Sequence, residues 1–378
     1  EVLVMNRRPS QSRSGYDSFS PQHTAHFRAD QPDGDFFDPK PPKSLRRRVL
    51  LILLALILAI LLINVAVNQF VRVERVTVPI RKMDAAFEGY TLLHISDLKG
   101  LLFGKDQQFI RFALRDAQFD AVVMTGDMVS SRGNAQPLYE LIEVLRELNP
   151  DAPIYMIPGD RDPLPASMSY ATGGSPFAPW ILGAQQRGAR LLNSPQLIER
   201  DGHALWLTTS ALLSLDLDTM QEQFERQYLD VLDSQDENEV DLAKYNLQWL
   251  SETRAARKAM TEDDVYISLT HVPPSEDELQ NAYTGTLSER LHLVLCGHYE
   301  GGLIRLPFVG ALFIPSQNLP NYGILPGPQT YCGLSKVGKT YLYVSPGLGD
   351  NDGLYPPPFF RFFNPPTISL ISLTTSRL

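Results

Sequence analysis

Three carboxylates and two imidazoles each follow a short apolar run. Asp97 comes after "YTLLHIS", Asp127 after "AVVMTG", Asp160 after "IYMIPG", His271 after "VYISLT" and His298 after "LVLCG". Carboxylate oxygen and imidazole nitrogen together suit a divalent ion, and the mixture fits Mn, Zn or Fe without choosing among them. Glu300 adds a carboxylate two residues past His298, while Lys99 and Arg161 bring cations beside Asp97 and Asp160. In "YMIPGDRDP" the residues Asp160, Arg161 and Asp162 are consecutive, so each ionised group must be solvated, paired or bound to something.

The elements that would position these residues follow from periodicity. "VERVTVPI" alternates as a strand, and the runs before Asp97, Asp127 and Asp160 are short and buried in character. Between them "FIRFALRDAQ" reads as a helix, and "PLYELIEVLREL" as an amphipathic one with Leu138, Leu141, Ile142, Leu145 and Leu148 on one face. Strands alternating with helices predict βαβ units and a substantially parallel sheet. Ligands in such sheets bind at the carboxyl ends of strands, so Asp97, Asp127 and Asp160 are predicted to converge on one rim. "HALWLTTSALL" reads as a strand pair, and residues 217–258 as two helices around a solvated "SQDENE" loop. The tail from "KTYLYVSPGLGDNDG" to "FFNPPTISLISLTT" is strand-rich and predicts a second sheet. His94, inside an apolar run, reads as a packed histidine, and His203 and His292, at strand starts, as surface residues.

The 378 residues suffice for one large domain or two ordinary ones, and the net charge of −9 argues against a nucleic-acid partner, which demands a basic face. Two cysteines, Cys296 and Cys332, make no disulfide framework and read as buried free thiols, although one bridge between them is open. "VLLILLALILAILLINVAV", from Val49 to Val67, is apolar except for Asn64 and long enough to cross a bilayer core of about 30 Å. Arg46, Arg47 and Arg48 abut its start, and the positive-inside rule then places the N-terminus in the cytoplasm. The expected organisation is a disordered basic cytoplasmic tail over 1–45, a single transmembrane helix over 46–68 and an extracytoplasmic domain over 69–378, held at the cell membrane.

In order along the chain, "SDLKG", "TGDMVS", "PGDRDP", "LTHVPP" and "CGHYEGG" resemble the five motifs of the calcineurin-like metallophosphoesterases, and "GGLIRLPFVG", "YVSPGLG" and "RFFNPPTISL" extend the resemblance to the C-terminus. The resemblance implies an α/β fold of two packed mixed sheets flanked by helices. It also implies a two-metal site that clamps a phosphate ester, and a histidine that contacts or protonates the leaving oxygen. One ion would take Asp127, Asp160, His271 and His298, a full set. The other would take Asp97, Asp127 and the positions occupied here by Lys99 and Glu300, where the family has histidines. A protonated ammonium cannot ligate. Asp97, Asp127, Asp160 and Glu300 would bring together about four negative charges, which one divalent ion, Lys99 and Arg161 would balance. Lys99 is therefore expected in the place of the second metal, paired to Asp97 and Glu300. Arg161 stands where the family has its catalytic histidine and is expected to hold an anion, with Asp162 orienting it. The implied function is hydrolysis of a phosphate ester at an altered, single-metal site. The alternative is a catalytically inactive member that binds a phosphate-bearing or lipid-headgroup ligand as a sensor or scaffold.

Overall fold

The computed structural model describes residues 43–166, 176–232, 234, 236–281, 290–306, 308–314, 323–327, 331–349 and 361–375. The tail expected over 1–45 lies outside them through Pro42. α1 runs from Lys43 to Val67. Its segment Ser44–Val67 is long and apolar enough to cross a membrane, with a mean hydropathy of 3.3, and none of it is buried inside the protein. An apolar surface on every face suits a helix whose solvent is lipid. The chain divides into two compact units inside this helix, after Ile57, and the α/β fold lies in the second.

Along the chain follow β1 (Arg72–Pro79), β2 (Thr91–Ile95), α2 (Gln108–Leu114), β3 (Ala121–Thr125), α3 (Gln136–Leu148), β4 (Ile154–Ile157), α4 (Pro179–Gln186) and β5 (Ala189–Leu191). Then come β6 (Gln196–Arg200), β7 (His203–Thr208), α5 (Ser210–Ser214), α6 (Leu217–Val231), α7 (Glu237–Ala259), β8 (Val265–Leu269), α8 (Glu276–Asn281) and β9 (Leu293–Cys296). The hairpin β10 (Arg305–Leu306) and β11 (Gly310–Ala311), then β12 (Gly333–Val337), β13 (Thr340–Val344) and β14 (Thr367–Thr374), complete the described elements.

Two six-stranded mixed sheets result, in the orders β1-β14-β2-β3-β4-β5 and β12-β13-β9-β8-β7-β6. Strand periodicity sorts their side chains between layers. In β3, Ala121 and Val123 enter the core between the sheets, whereas Val122 and Met124 face the layer of α2, α3 and α4. In β8 and β9, Ile267, Leu293 and Leu295 meet the first sheet, and Tyr266 and Val294 turn the other way. The apolar face read from α3 is the one it buries, through Leu138, Leu141, Ile142 and Leu145. The fold is thus α/β, two packed mixed sheets flanked by helices.

Three readings of the sequence are corrected. "HALWLTTSALL" is one strand followed by α5, because the Thr209 hydroxyl accepts the Leu212 N–H and caps a helix there. The strand-rich tail divides: β13 joins the second sheet, but β14 inserts between β1 and β2 of the first. His292 is half-buried, stacked on Tyr266 and accepting its backbone N–H through Nδ1.

Candidate metal centre

Parallel pairing of β2 with β3 and β3 with β4 in one sheet, and of β8 with β9 in the other, aligns five carboxyl ends. The chain turns sharply at each end. Asp97, Lys99, Asp127, His298 and Glu300 all have positive φ, between 51° and 73°. Such backbone costs about 1–3 kcal/mol per residue and persists where the surroundings over-determine it. Here it aims polar side chains back over the strand ends. Glycine makes the approach possible: a Cβ on Gly126 would lie 2.6 Å from Gly159 Cα, and one on Gly159 would collide with the backbone N and Oδ1 of Asp127.

His271 is the hub. Its Nε2 stands 2.9 Å from Asp160 Oδ1, 3.4 Å from Asp127 Oδ1 and 3.3 Å from His298 Nδ1, and His298 Nδ1 is 3.5 Å from Asp160 Oδ1. On its other side Nδ1 donates to the Thr125 carbonyl at 2.8 Å, which fixes the ring so that Nε2 faces the carboxylates, protonated and donating to them while no ion is bound. A carbonyl behind a ligating histidine fixes tautomer and orientation in this way. Burial alone would lower the imidazole's pKa, but hydrogen bonds to Asp127 and Asp160 outweigh it and push it up to about 11. The hydrogen bond to His271 holds Asp160 far below the usual carboxylate range. Asp160, His271 and His298 have donor atoms within 4.8 Å of one another and could hold a metal ion. Asp97, Asp127 and His271 also have donor atoms within 4.8 Å of one another. The Asp97 Oδ1 is buried with no hydrogen-bond partner among the described residues. Asp160 is half-exposed, so the cluster opens to solvent on that side.

Lys99 occupies the other half of the site. It is buried, with Nζ in direct contact with Glu300, 3.7 Å from Asp127 and 4.0 Å from Asp97. Burial opposes its charge, but Glu300, then Asp97 and Asp127, overcome that and raise its pKa above the ordinary value. Burial raises Glu300 as well, with the ammonium opposing. Glu300 is therefore directed at an ammonium and not at the histidine pair.

Asp162 has partners other than the one expected. Its two oxygens accept the backbone N–H groups of Val129 and Gly159, so it ties the β4 loop to the β3 loop, and among the described residues it has no hydrogen bond with the Arg161 side chain. Burial pushes its pKa up to about 6. The Arg161 backbone N–H donates to Asp127 Oδ1, and its guanidinium Nη1 is buried with no hydrogen-bond partner among the described residues. His94 is wholly buried, with Nε2 on the Thr125 hydroxyl at 2.8 Å.

Several supports escaped the sequence reading. Buried Arg361 donates to the carbonyls of Asn364, Gly349, Glu300 and Pro346, and Asn364 donates to those of Glu300 and Gly302. Ser96 donates to Asp97 Oδ2. The runs "YVSPGLG" and "RFFNPP" carried the signal, since Pro-Gly turns beside an always-charged arginine in an apolar context mark a packed backbone junction.

Gly159→Ala tests the close approach of the two loops. Forcing a methyl into the Asp127 backbone costs about 1–3 kcal/mol, which as lost metal affinity is about 5- to 150-fold. Titration of Mn against a chelator measures it, and an unchanged affinity in the folded variant would show that the loops separate freely.

No curated protein matches the chain. Among solved structures it is similar to phosphopantetheinyl hydrolase from Mycobacterium tuberculosis (13% identity, 69% of this chain and 91% of that one, TM-score 0.33). It is also similar to a protein from Thermus thermophilus (12%, 69% and 90%, 0.35) and to a dimetal phosphatase from Danio rerio (12%, 69% and 88%, 0.31). The family model of the calcineurin-like phosphoesterases matches residues 90–299, from the start of β2 through four strand-end motifs into the fifth, and with more than half of its length so matched the chain belongs to that family.

Proposed function

We propose that the chain hydrolyses a phosphate ester at a site holding one divalent ion, Mn, Zn or Fe, on Asp127, Asp160, His271 and His298. The observation that carries this reading is the approach of Asp127, Asp160 and His298 each to within 3.4 Å of His271 Nε2, with Asp160 half-exposed. When bound, the ion supplies Lewis acidity toward a phosphoryl oxygen. The protein's own residues do the rest. Arg161 offers a fixed guanidinium to the non-bridging oxygens of the ester, with a buried Nη1 unpartnered among the described residues. Lys99 neutralises Asp97 and Glu300 permanently, where a second ion would come and go. Because a guanidinium keeps its proton at neutral pH, Arg161 cannot protonate the leaving group. Esters with acidic leaving groups, such as aryl phosphates, are therefore expected to turn over fastest.

The test is metal analysis of the purified full chain, together with rates on aryl phosphomonoesters and phosphodiesters with Mn, Zn or Fe added. About one ion per chain with turnover supports the reading. One ion with no turnover on any ester, but with saturable binding of inorganic phosphate, would replace it with a ligand-binding role.

α1 is proposed as a single-pass anchor with its N-terminal end cytoplasmic and the α/β domain outside, a reading supported by its hydropathy and by Arg46, Arg47 and Arg48 at its start. Protease added to intact cells, after removal of any wall, is expected to digest the domain beyond Arg72. A domain that survives until the membrane is permeabilised would reverse the orientation.

A further inference from the structure

Outside α1, exposed large apolar side chains of the described residues concentrate on the β10–β11 hairpin and its flanks. Ile304, Leu306, Phe308, Val309, Phe313 and Phe363 all stand out in solvent. Phe308, at the turn, is fully exposed and has a positive φ of 67°, an arrangement that no packing among the described residues explains. Contiguous apolar exposure of this kind marks a surface made for a partner.

The hairpin's attachment identifies the partner. Asn64 and Asn68 both donate through Nδ2 to the Arg361 carbonyl at 2.7 Å. The next residue, Phe362, donates its N–H to the Leu303 carbonyl and accepts that of Arg305, so it bridges to the strand that enters the hairpin. Asn64 is the one polar residue of the Val49–Val67 run, and a polar side chain in such a run needs a partner. It lies three residues before the end of α1, about 5 Å along the axis. Phe308 is three residues from Arg305 and so stands at most about 10 Å from it. A headgroup layer is about 5–8 Å deep. The apolar hairpin is thus tied to the point where the apolar helix ends, at the level where hydrocarbon gives way to headgroups.

We infer that the β10–β11 hairpin is a membrane-docking surface that seats in the leaflet from which α1 emerges. Arg361 also holds the Glu300 carbonyl at the rim of the metal centre, so the docked hairpin sets that rim beside the bilayer surface. This inference rests on the reading of α1 as a membrane anchor, and its test separates the two.

The full chain is reconstituted in phosphatidylcholine vesicles without bromine, or with bromine both near the carboxyl ends and near the middle of the acyl chains, which quenches tryptophan anywhere in the hydrocarbon. Three single variants are compared with the parent, whose Trp180, Trp206 and Trp249 set the background. These are Phe308→Trp at the hairpin turn, Leu58→Trp in α1 and Leu229→Trp on the exposed face of α6. Added emission from Phe308→Trp and Leu58→Trp is expected to be blue-shifted and largely lost in brominated vesicles, while that of Leu229→Trp persists in both. Quenching of Leu58→Trp without Phe308→Trp leaves the anchor standing and overturns the docking surface. No quenching of Leu58→Trp overturns the anchor, and the docking surface with it. A blue-shifted Phe308→Trp that bromine does not touch, with Phe308→Cys cross-linking between copies, would make the hairpin a self-association surface and overturn the inference.

Discussion

His271→Ala is expected to strip the divalent ion from the purified full chain and to abolish ester hydrolysis. The residue is shared between the two groups of converging donors, and its Nε2 is the atom on which the distances to Asp127, Asp160 and His298 meet. Loss of a residue that merely orients a ligand costs about 10- to 100-fold in metal affinity, and loss of the ligand itself exceeds that. The expected result is therefore an affinity lowered by more than about 100-fold and a rate at background. The carboxylates left behind keep cations of their own, since Lys99 stays beside Asp127 and Asp97. The variant should then fold, and circular dichroism should match the parent. Folded protein that still carries one tightly held ion would remove His271 from the site.

Lys99→Ala is expected to give the largest loss of stability at the site. The ammonium is the cation nearest Glu300, and removing one partner of a buried pair leaves an uncompensated charge that costs about 3–5 kcal/mol. For a domain of this size that is on the order of 10 °C in the unfolding midpoint. Added Mn should restore part of the loss by filling the vacated position, because a ligand that binds the folded state alone stabilises it. Lys99→His combined with Glu300→His should raise the metal content from one ion per chain to two. Thermal unfolding with and without Mn, together with metal analysis, measures both variants against the parent. A Lys99→Ala protein as stable as the parent and indifferent to Mn would mean that the ammonium carries no weight there.

How much of this was legible in the sequence depends on the range of each interaction. Asp97, Asp127, Asp160, His271 and His298 could be read because each closes an apolar run, and a strand end followed by a polar side chain is a local pattern. The position of Lys99 followed from the resemblance, in which it stands where the family has a histidine, with charge balance in support. Asp162 was misread in its partner, since a carboxylate turned onto backbone N–H groups leaves no trace in side-chain identity. Arg361 and Asn364 were quoted without a role, because they act on carbonyls that any sequence supplies. The two-sheet α/β architecture was legible from alternation, but the sheet joined by β14 was not. "TISLISLTT" is apolar on both faces and fits the middle of either sheet equally well.

That insertion of β14 governs how the protein can be made. β1 pairs with β14 from Arg72↔Thr367 onward, and β14 separates it from β2. β1 must therefore wait for a strand translated about 295 residues after it. Closing so long a loop delays the nucleus, and slow non-local pairing keeps unpaired strand edges exposed meanwhile. During synthesis β2, β3 and β4 can assemble with their helices, yet the edge of β2 that will receive β14 stays open until translation passes Thr374. With α1 as the proposed anchor and the domain on the outer side, the same delay would fall after passage through the membrane. There, holding chaperones that cover a bare strand edge would decide its yield more than the final stability of the fold.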